Sequence, residues 1–369
     1  MFASDRGDNL HVVHPEVRYA SCGDGYVAHQ VVGSGPTDLL VIFADLTHIE
    51  HGWREPAEAR FLGRLADAFR LIRFDKRGFG LSDPLTGRPT LADRMGEITA
   101  VLDAVGSEKA AVFGIWEGAH MAIRYAVEHP ERVTSLVIYG SAARSVSAPD
   151  YELQPDRATR EAGLLYAIDH WGDAGDDLVI QMLAPSKIND RAFREWFAEL
   201  QRLGCSPGQY LETASWAFDV DVRDLLASID IPTLVIHRTG DRFCTVENGR
   251  YLAAHIPGAQ FVELEGDDHL PFVGDSDAIA DAIEAFVTGR IMRRRRAAHV
   301  VPVSLRSNGV TRREFEVLDL VASGSTNAEI SEELHISIRT VESHISSLLA
   351  KLQSSSRAGL IAAGIATRA

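Results

Sequence analysis

Residues 112–124 read VFGIWEGAHMAIR. An apolar strand end leads to Gly114, three residues follow, Gly118 closes the turn, and the pattern then becomes helical. A sharp strand-to-helix turn of this kind presents its central residue for chemistry. Ser, Cys or Asp could attack from there, but the central residue is Trp116. An indole has one N–H donor and no nucleophilic atom. The position therefore fits either an aromatic core or the wall of a pocket, which an indole supplies with apolar area and one donor.

Outward from this turn, apolar runs alternate with helical patterns from about residue 25 to 289. VAHQVV, DLLVIFA, RLIRFD, AAVFG, SLVIYG, TLVIHR and QFVELE read as strands. Several are unbroken Val/Ile/Leu runs, as strands buried on both faces of a parallel sheet require. EPAEARFLGRLADAFR, TLADRMGEITAVLDAV, GAHMAIRYAVEHP, VENGRYLAAHI and SDAIADAIEAFV read as helices between them. The alternation predicts a mostly parallel α/β sheet. VAHQVV and DLLVIFA are separated by GSGPT, too short for a helix, so the sheet is expected to open with an antiparallel hairpin of those two runs. The stretch 142–225 holds no convincing strand and three of the five tryptophans, Trp171, Trp196 and Trp216. It is expected to be a helical cap inserted between two strands, the alternative being a separate small bundle.

Three motifs fall where strand ends should meet. FDKRGFGLSDP, Phe74–Pro84, is a Gly-rich turn after a strand; GIWEG is the turn quoted above; Asp241 and His269 follow two late strands. Together they resemble the α/β-hydrolase superfamily over residues 25–288. In that family the chain order is Ser, Asp, His, with the Ser on a strained turn. The resemblance puts Trp116 in the nucleophile's place, Asp241 in the acid's and His269 in the base's. Asp241 can orient His269, but His269 has no hydroxyl to deprotonate, so no covalent step is open and the pair is vestigial as a triad. The loop FADLTHIEHGW puts Asp45 near the family's oxyanion corner, where a carboxylate would repel a developing oxyanion. The implied ligand site comprises Trp116, Asp45, His48, His120, Asp241, His269 and Trp171, with His51 a further candidate. His120 could equally be a packed, satisfied histidine. Asp241–His269 is either a retained structural hydrogen bond or a recognition pair for a ligand hydroxyl or carbonyl.

Composition bounds the remaining possibilities. Of 369 residues, 46% are hydrophobic and 24% charged, ordinary for a globular chain. No apolar run approaches the ~20 residues needed to cross a bilayer. The N-terminal stretch carries early acids and no apolar segment, unlike a secretory signal. Three scattered cysteines, Cys22, Cys205 and Cys244, form neither a disulfide framework nor a metal knuckle. A cytoplasmic protein without metal or cofactor is expected, and the use of only four lysines points to a high-GC bacterial genome. The net charge of −15 hides an asymmetry: 289–369 holds 12 of the 37 basic and 7 of the 52 acidic residues, a net of +5, leaving −20 for the first 288. Two parts of opposite sign suggest two kinds of partner. GRIMRRRRAAHVVPVSLRSNG, 289–309, reads as a basic linker whose Arg293–Arg296 serve as a solvated tether or touch phosphate.

Residues 310–369 carry a third signal. Thr311 and Glu314 form a capping box before a helix with Phe315, Leu318 and Val321 inward. A short second helix starts near Thr326. Ser337 caps a third, IRTVESHISSLLAKL, whose buried stripe is Val341, Ile345, Leu348 and Leu352. A short helix, a turn and a longer helix fit helix-turn-helix geometry. T-x-R-E-x-E-V-L at 311–318, S-T-N-A-E-I at 325–330, I-S-x-R-T-V-x-x-H-I at 336–345 and K-L at 351–352 resemble the LuxR-type DNA-binding domain. The resemblance implies double-stranded DNA as partner, with Arg339, Thr340, Val341, Glu342, Ser343, His344 and Lys351 at the interface. Glu342 stands where Lys is common; it could accept from cytosine N4, lower affinity, or pair with Arg339. The last helix, with Leu360, Ile361, Ala363 and Ile365, implies a homodimer.

The expected whole is an α/β-hydrolase-like sensing domain (1–288, cap about 142–225), a linker (289–309) and a small all-α helix-turn-helix domain (310–369). The expected function is a transcription regulator that binds a small ester, lactone, alcohol or similar effector and has no catalytic activity of its own. The alternatives are an unusual hydrolase tethered to DNA and a regulator whose body only dimerises.

Overall fold

A computed structural model describes residues 15–44, 46–85, 87, 90–289, 305, 308–322, 326–334, 336–352, 354, 356, 357, 359 and 360. The chain divides into two compact units at 293/294.

The first unit is built on one eight-stranded sheet: β1 (Arg18–Cys22), β2 (Gly25–Val32), β3 (Asp38–Ile42), β4 (Arg70–Phe74), β5 (Ala110–Ile115), β6 (Val133–Tyr139), β7 (Thr233–Arg238) and β8 (Gln260–Leu264). Their order across the sheet is β1-β2-β4-β3-β5-β6-β7-β8. β2 pairs antiparallel with β1 and β4, and the other pairings are parallel. The seven expected runs are all strands. The expected hairpin is not there: β2 and β3 do not pair, because β4 stands between them. The hairpin that opens the sheet joins β1 to β2 through a two-residue turn at Gly23 and Asp24, with Gly23 at φ 59°.

Helices α1 (Pro56–Ala68), α2 (Leu91–Ala104), α3 (Glu117–Glu128), α4 (Arg157–Asp169), α5 (Asp177–Leu183), α6 (Arg191–Gly204), α7 (Pro207–Ala217), α8 (Arg223–Leu226), α9 (Val246–His255) and α10 (Ser276–Thr288) complete the unit. β5, AAVFGI, is buried at every position, so its alternate side chains feed two cores. Val112 packs with residues of α2, α3 and α9, while Phe113 packs with residues of α1 and α10. α4 to α8 lie between β6 and β7 and form the cap. Polar N-caps start its longer helices: Asp156, Asp176, Asp190 and Ser206 each accept a backbone N–H of the first turn. α6 buries Phe193, Trp196, Phe197 and Leu200, the i, i+3, i+4, i+7 face of an amphipathic helix.

The second unit contains α11 (Arg312–Ala322), α12 (Asn327–Leu334) and α13 (Ile338–Lys351). Phe315, Leu318, Val321, Ile330, Val341 and Leu348 form its core. The Thr311–Glu314 capping box is formed, with Thr311 N–H donating to Glu314 Oε2 at 2.7 Å and Glu314 N–H to Thr311 Oγ1 at 3.3 Å.

Candidate functional site

The turn between β5 and α3 is strained. Trp116 has φ 50° and ψ −118°, and it is the one non-glycine among the described residues with positive φ. Neighbouring backbone forces this geometry. A β-carbon on Gly114 would lie 2.5 Å from Ala119 Cα, and one on Gly118 would lie 2.1 Å from Ile42 O. Both glycines let α3 pack tightly against the sheet. The turn then throws the Trp116 side chain over the strand ends, beneath the cap.

There the indole helps line a cavity of about 450 Å³. The wall joins Phe43, Ala44 and His48 from the loop after β3 to Trp171, Met182, Leu183, Trp196 and Phe218 from the cap. His269 and Phe243 close it near the sheet. Trp116 meets the His269 ring edge-on at 5.5 Å and the Phe243 ring at 4.9 Å. Such aromatic contacts hold the indole in one rotamer.

Asp241 and His269 are joined as expected. His269 Nδ1 lies 2.7 Å from Asp241 Oδ2. Asp241 Oδ1 accepts the N–H groups of Phe243 and Cys244 at 2.9 and 3.0 Å. Burial pushes the Asp241 carboxyl up, but the charge and hydrogen bond of His269 and the Cys244 N–H outweigh it, leaving it below the ordinary value. An ionised Asp241 only accepts, so His269 Nδ1 donates, and in the neutral ring Nε2 is left as acceptor. The cap clamps this histidine: Leu183 O accepts the backbone N–H of both His269 and Leu270, at 2.9 and 3.1 Å.

The other expected ligand residues separate. His48 is half-buried in the cavity wall, its Nδ1 accepting from His51 N–H at 3.2 Å. His51 is buried, stacked on Trp196 at 5.7 Å, with Nε2 3.1 Å from Trp196 O. Trp171 lines the cavity, and its buried Nε1 has no partner among the described residues. His120 does not belong with them. It is buried in α3 with Nε2 2.8 Å from Ala142 O and is not among the residues that line the cavity. Four positions after Trp116, about one helical turn carries it away from the strand ends. Asp45 lies outside the described residues.

The Gly-rich turn after β4 shapes the wall without entering it. Asp75 is buried and accepts from Ile49 N–H at 3.1 Å and Leu81 N–H at 2.9 Å. Lys76 Nζ donates to Ala44 O at 2.8 Å and Phe43 O at 3.1 Å, fixing the loop that carries His48.

The matches with known proteins agree with this geometry. A model described as the alpha/beta hydrolase fold matches residues 46–276.

The chain belongs to the α/β-hydrolase fold family.

Its hydrolase-fold body is 28% identical to 3-oxoadipate enol-lactonase 1 of Acinetobacter baylyi over 261 residues, which cover 69% of this chain and 91% of that one. It is also 28% identical to a pimeloyl-[acyl-carrier protein] methyl ester esterase of Xanthomonas campestris, over 70% of this chain and 97% of the relative. An esterase from a Rhodococcus species superposes with a TM-score of 0.62 at 25% identity, covering 74% and 98% of the two chains. The enol-lactonase of Burkholderia xenovorans has the same fold, with a TM-score of 0.61 at 22% identity over 73% and 100%. A second model, described as bacterial regulatory proteins of the luxR family, matches residues 308–363. This hydrolase-fold protein therefore carries a LuxR-type helix-turn-helix at its C-terminus, which supports DNA binding and a role in transcription regulation. Among the described residues no helix is long and apolar enough to cross a membrane.

In the second unit, the expected interface residues divide. Arg339, Glu342 and Ser343 are exposed on α13, and Thr340 and His344 are half-buried beside them. No ion pair joins Arg339 to Glu342 among the described residues. Val341 is fully buried among the three helices and cannot touch DNA; the stripe periodicity that places it in the core overrides its place in the motif. Lys351 is committed inside the unit: its Nζ lies 2.8 and 2.7 Å from the two carboxylate oxygens of Glu314. Burial pushes the Glu314 carboxyl up, but Lys351, Ser347 and Thr311 together hold it down to about 2. Arg293–Arg296, Ile361, Ala363 and Ile365 lie outside the described residues.

The sequence did not point to the charged wall residues Glu58, Arg73, Glu117 and Arg160, of which Arg160 stands against Trp116. Arg160 of α4 lines the cavity, its guanidinium carbon 5.4 Å from the Trp116 ring centroid and 5.2 Å from that of Phe243. Its only sequence signal is an arginine in the first turn of a cap helix, which ordinarily marks a solvated surface.

Proposed function

We propose that the hydrolase-fold body is a receptor. It holds a small, mainly apolar, oxygenated molecule without covalent turnover, and its occupancy alters DNA binding by the C-terminal helix-turn-helix, in a bacterial cytoplasm and with two chains per operator. One observation carries this reading: an indole occupies the strained elbow in the wall of a roomy cavity, where a hydrolase needs a nucleophile. The curated relatives, named for an enol-lactone and a methyl ester, support the chemical class of the ligand. Coupling requires that the ligand bind the DNA-competent and DNA-incompetent arrangements with different affinity.

The test uses purified full-length chain. Activated p-nitrophenyl esters should turn over no faster than in buffer, while lactones, esters and alcohols that change tryptophan emission should also change operator affinity. Rapid turnover that His269→Ala abolishes would overturn the receptor reading. The intact Asp241–His269 pair favours one second reading, in which His269 activates water directly. It predicts slow hydrolysis lost in both Asp241→Asn and His269→Ala.

A further inference from the structure

The cavity is apolar over most of its wall but, among the described residues, holds one cation without an ion-pair partner. The charged residues that line it are Glu58, Arg73, Glu117 and Arg160. Arg73 and Glu58 neutralise each other, with Nη2 and Oε1 3.1 Å apart. Arg160 has no such partner among the described residues. Its Nε donates to Ser145 O at 3.2 Å, and its Nη2 to Gln154 Oε1 and, at 3.5 Å, to Phe243 O. All three acceptors are neutral. Glu117 attracts Arg160 from a distance but forms no ion pair with it. Burial lowers the Arg160 pKa from its ordinary value, the direction expected of a cation short of water and of countercharge.

A guanidinium placed in such a site is costly unless an anion joins it. What already surrounds it is arranged to hold it still. Trp116 and Phe243 offer ring faces, and the three neutral acceptors fix the Nε and Nη2 edge. Nη1 has no partner among the described residues. Ser145, whose backbone oxygen accepts from Arg160 Nε, also lines the cavity. The site thus presents a preset guanidinium edge at the border of an otherwise apolar chamber.

Resting on the receptor reading, we infer that the ligand is an apolar monocarboxylate whose carboxylate sits on Arg160, against Trp116 and Ser145, with its hydrocarbon body in the cap. One guanidinium balances one negative charge, and no second unpaired cation among the described lining residues would favour a dianion such as a phosphate monoester. The same arrangement gives position 116 a task. An indole face supports the guanidinium that a Ser side chain would leave uncovered.

The experiment compares matched probes on the full-length chain: decanoate against methyl decanoate, and 4-phenylbutanoate against its methyl ester. Binding is read by tryptophan emission at a pH where the acids are ionised. Each acid should bind at least tenfold more tightly than its ester. Arg160→Gln should erase that preference while ester binding stays within about twofold, which also reports that the pocket is still folded. Arg160→Lys should retain part of the preference, since charge remains but the fork does not. Esters binding as well as acids to the wild type would overturn the inference alone. So would an acid preference that survives in Arg160→Gln. If neither acids nor esters bind, the receptor reading fails, and this inference with it.

Discussion

Replacing Trp116 by alanine and by glycine separates the side chain from the backbone that carries it. At φ 50° and ψ −118° the backbone is close to the mirror image of an extended chain, open to glycine and strained for any residue with a β-carbon. Such strain costs about 1–3 kcal/mol. Losing a buried indole costs about 3–5 kcal/mol in a packed core, and the lower part of that range applies to one bordering a cavity. Both variants lose the indole. Alanine keeps the strain, whereas glycine sheds it at the cost of about 0.5–1 kcal/mol of backbone entropy. The glycine variant should therefore be the more stable by about 1 kcal/mol, opposite to the usual order of Gly and Ala. All five tryptophans, Trp53, Trp116, Trp171, Trp196 and Trp216, lie in the hydrolase-fold body. Tryptophan emission during urea unfolding of the full chain thus reports on that body, and the four remaining indoles serve in either variant. With a urea slope of about 3 kcal/mol/M, the midpoints should differ by roughly 0.3 M. An alanine variant as stable as the glycine one, or more so, would refute the claim that the turn is strained by its surroundings.

Three further outcomes are expected. Trp116→Ser should raise ester hydrolysis on the order of 10²-fold over the wild type, short of the ~10⁶ a complete triad contributes, and His269→Ala should cancel the gain. Glu314 is held at about 2 against an ordinary 4.5, so its contribution is full at neutral pH and lost as pH falls from about 4.5 toward 2. Glu314→Gln should then cost the helical unit on the order of 2–3 kcal/mol at pH 7 and little at pH 2, as read by amide exchange over 312–322. Arg339→Ala should weaken DNA binding and reduce its salt slope by about one, while Val341→Ala should act through stability, losing about 1–3 kcal/mol without changing the slope of the folded fraction.

The sheet was legible because its strands are buried on both faces. AAVFGI and TLVIHR can be little else, and the helices between them follow from the crossover rule. β1 was not legible. RYASC is short, with Tyr19 exposed and a burial pattern that matches no long apolar run. Without it, the loop GSGPT was read as a hairpin, when strand order rather than loop length decides which strands pair. At the site, Asp241–His269 followed from motif order, and the aromatic cap followed from Trp171 and Trp196. His120 and Val341 were misplaced for one reason: a motif position does not say which helical face it occupies. Lys351 was misplaced for another. Its partner Glu314 is 37 residues away, and only packing of α11 on α13 brings them together. Arg160 was invisible because nothing local distinguishes an arginine on a cap helix from one whose guanidinium turns under the cap.

The strained elbow survives at Trp116 because its backbone geometry does not depend on which side chain stands there. It is set by α3 lying against β3 and β5, where Gly114 meets Ala119 and Gly118 meets the Ile42 carbonyl. Those contacts belong to the core of the fold, so they persist whatever chemistry position 116 performs. Any side chain placed there is carried over the strand ends, beside His269 and under the cap. A change at this one position can therefore remove the nucleophile without disturbing the cavity or the Asp241–His269 bond. The packing that serves a hydrolase as a platform for attack serves this chain as a platform for an indole, and the indole in turn covers one face of a guanidinium that has no ion-pair partner among the described residues.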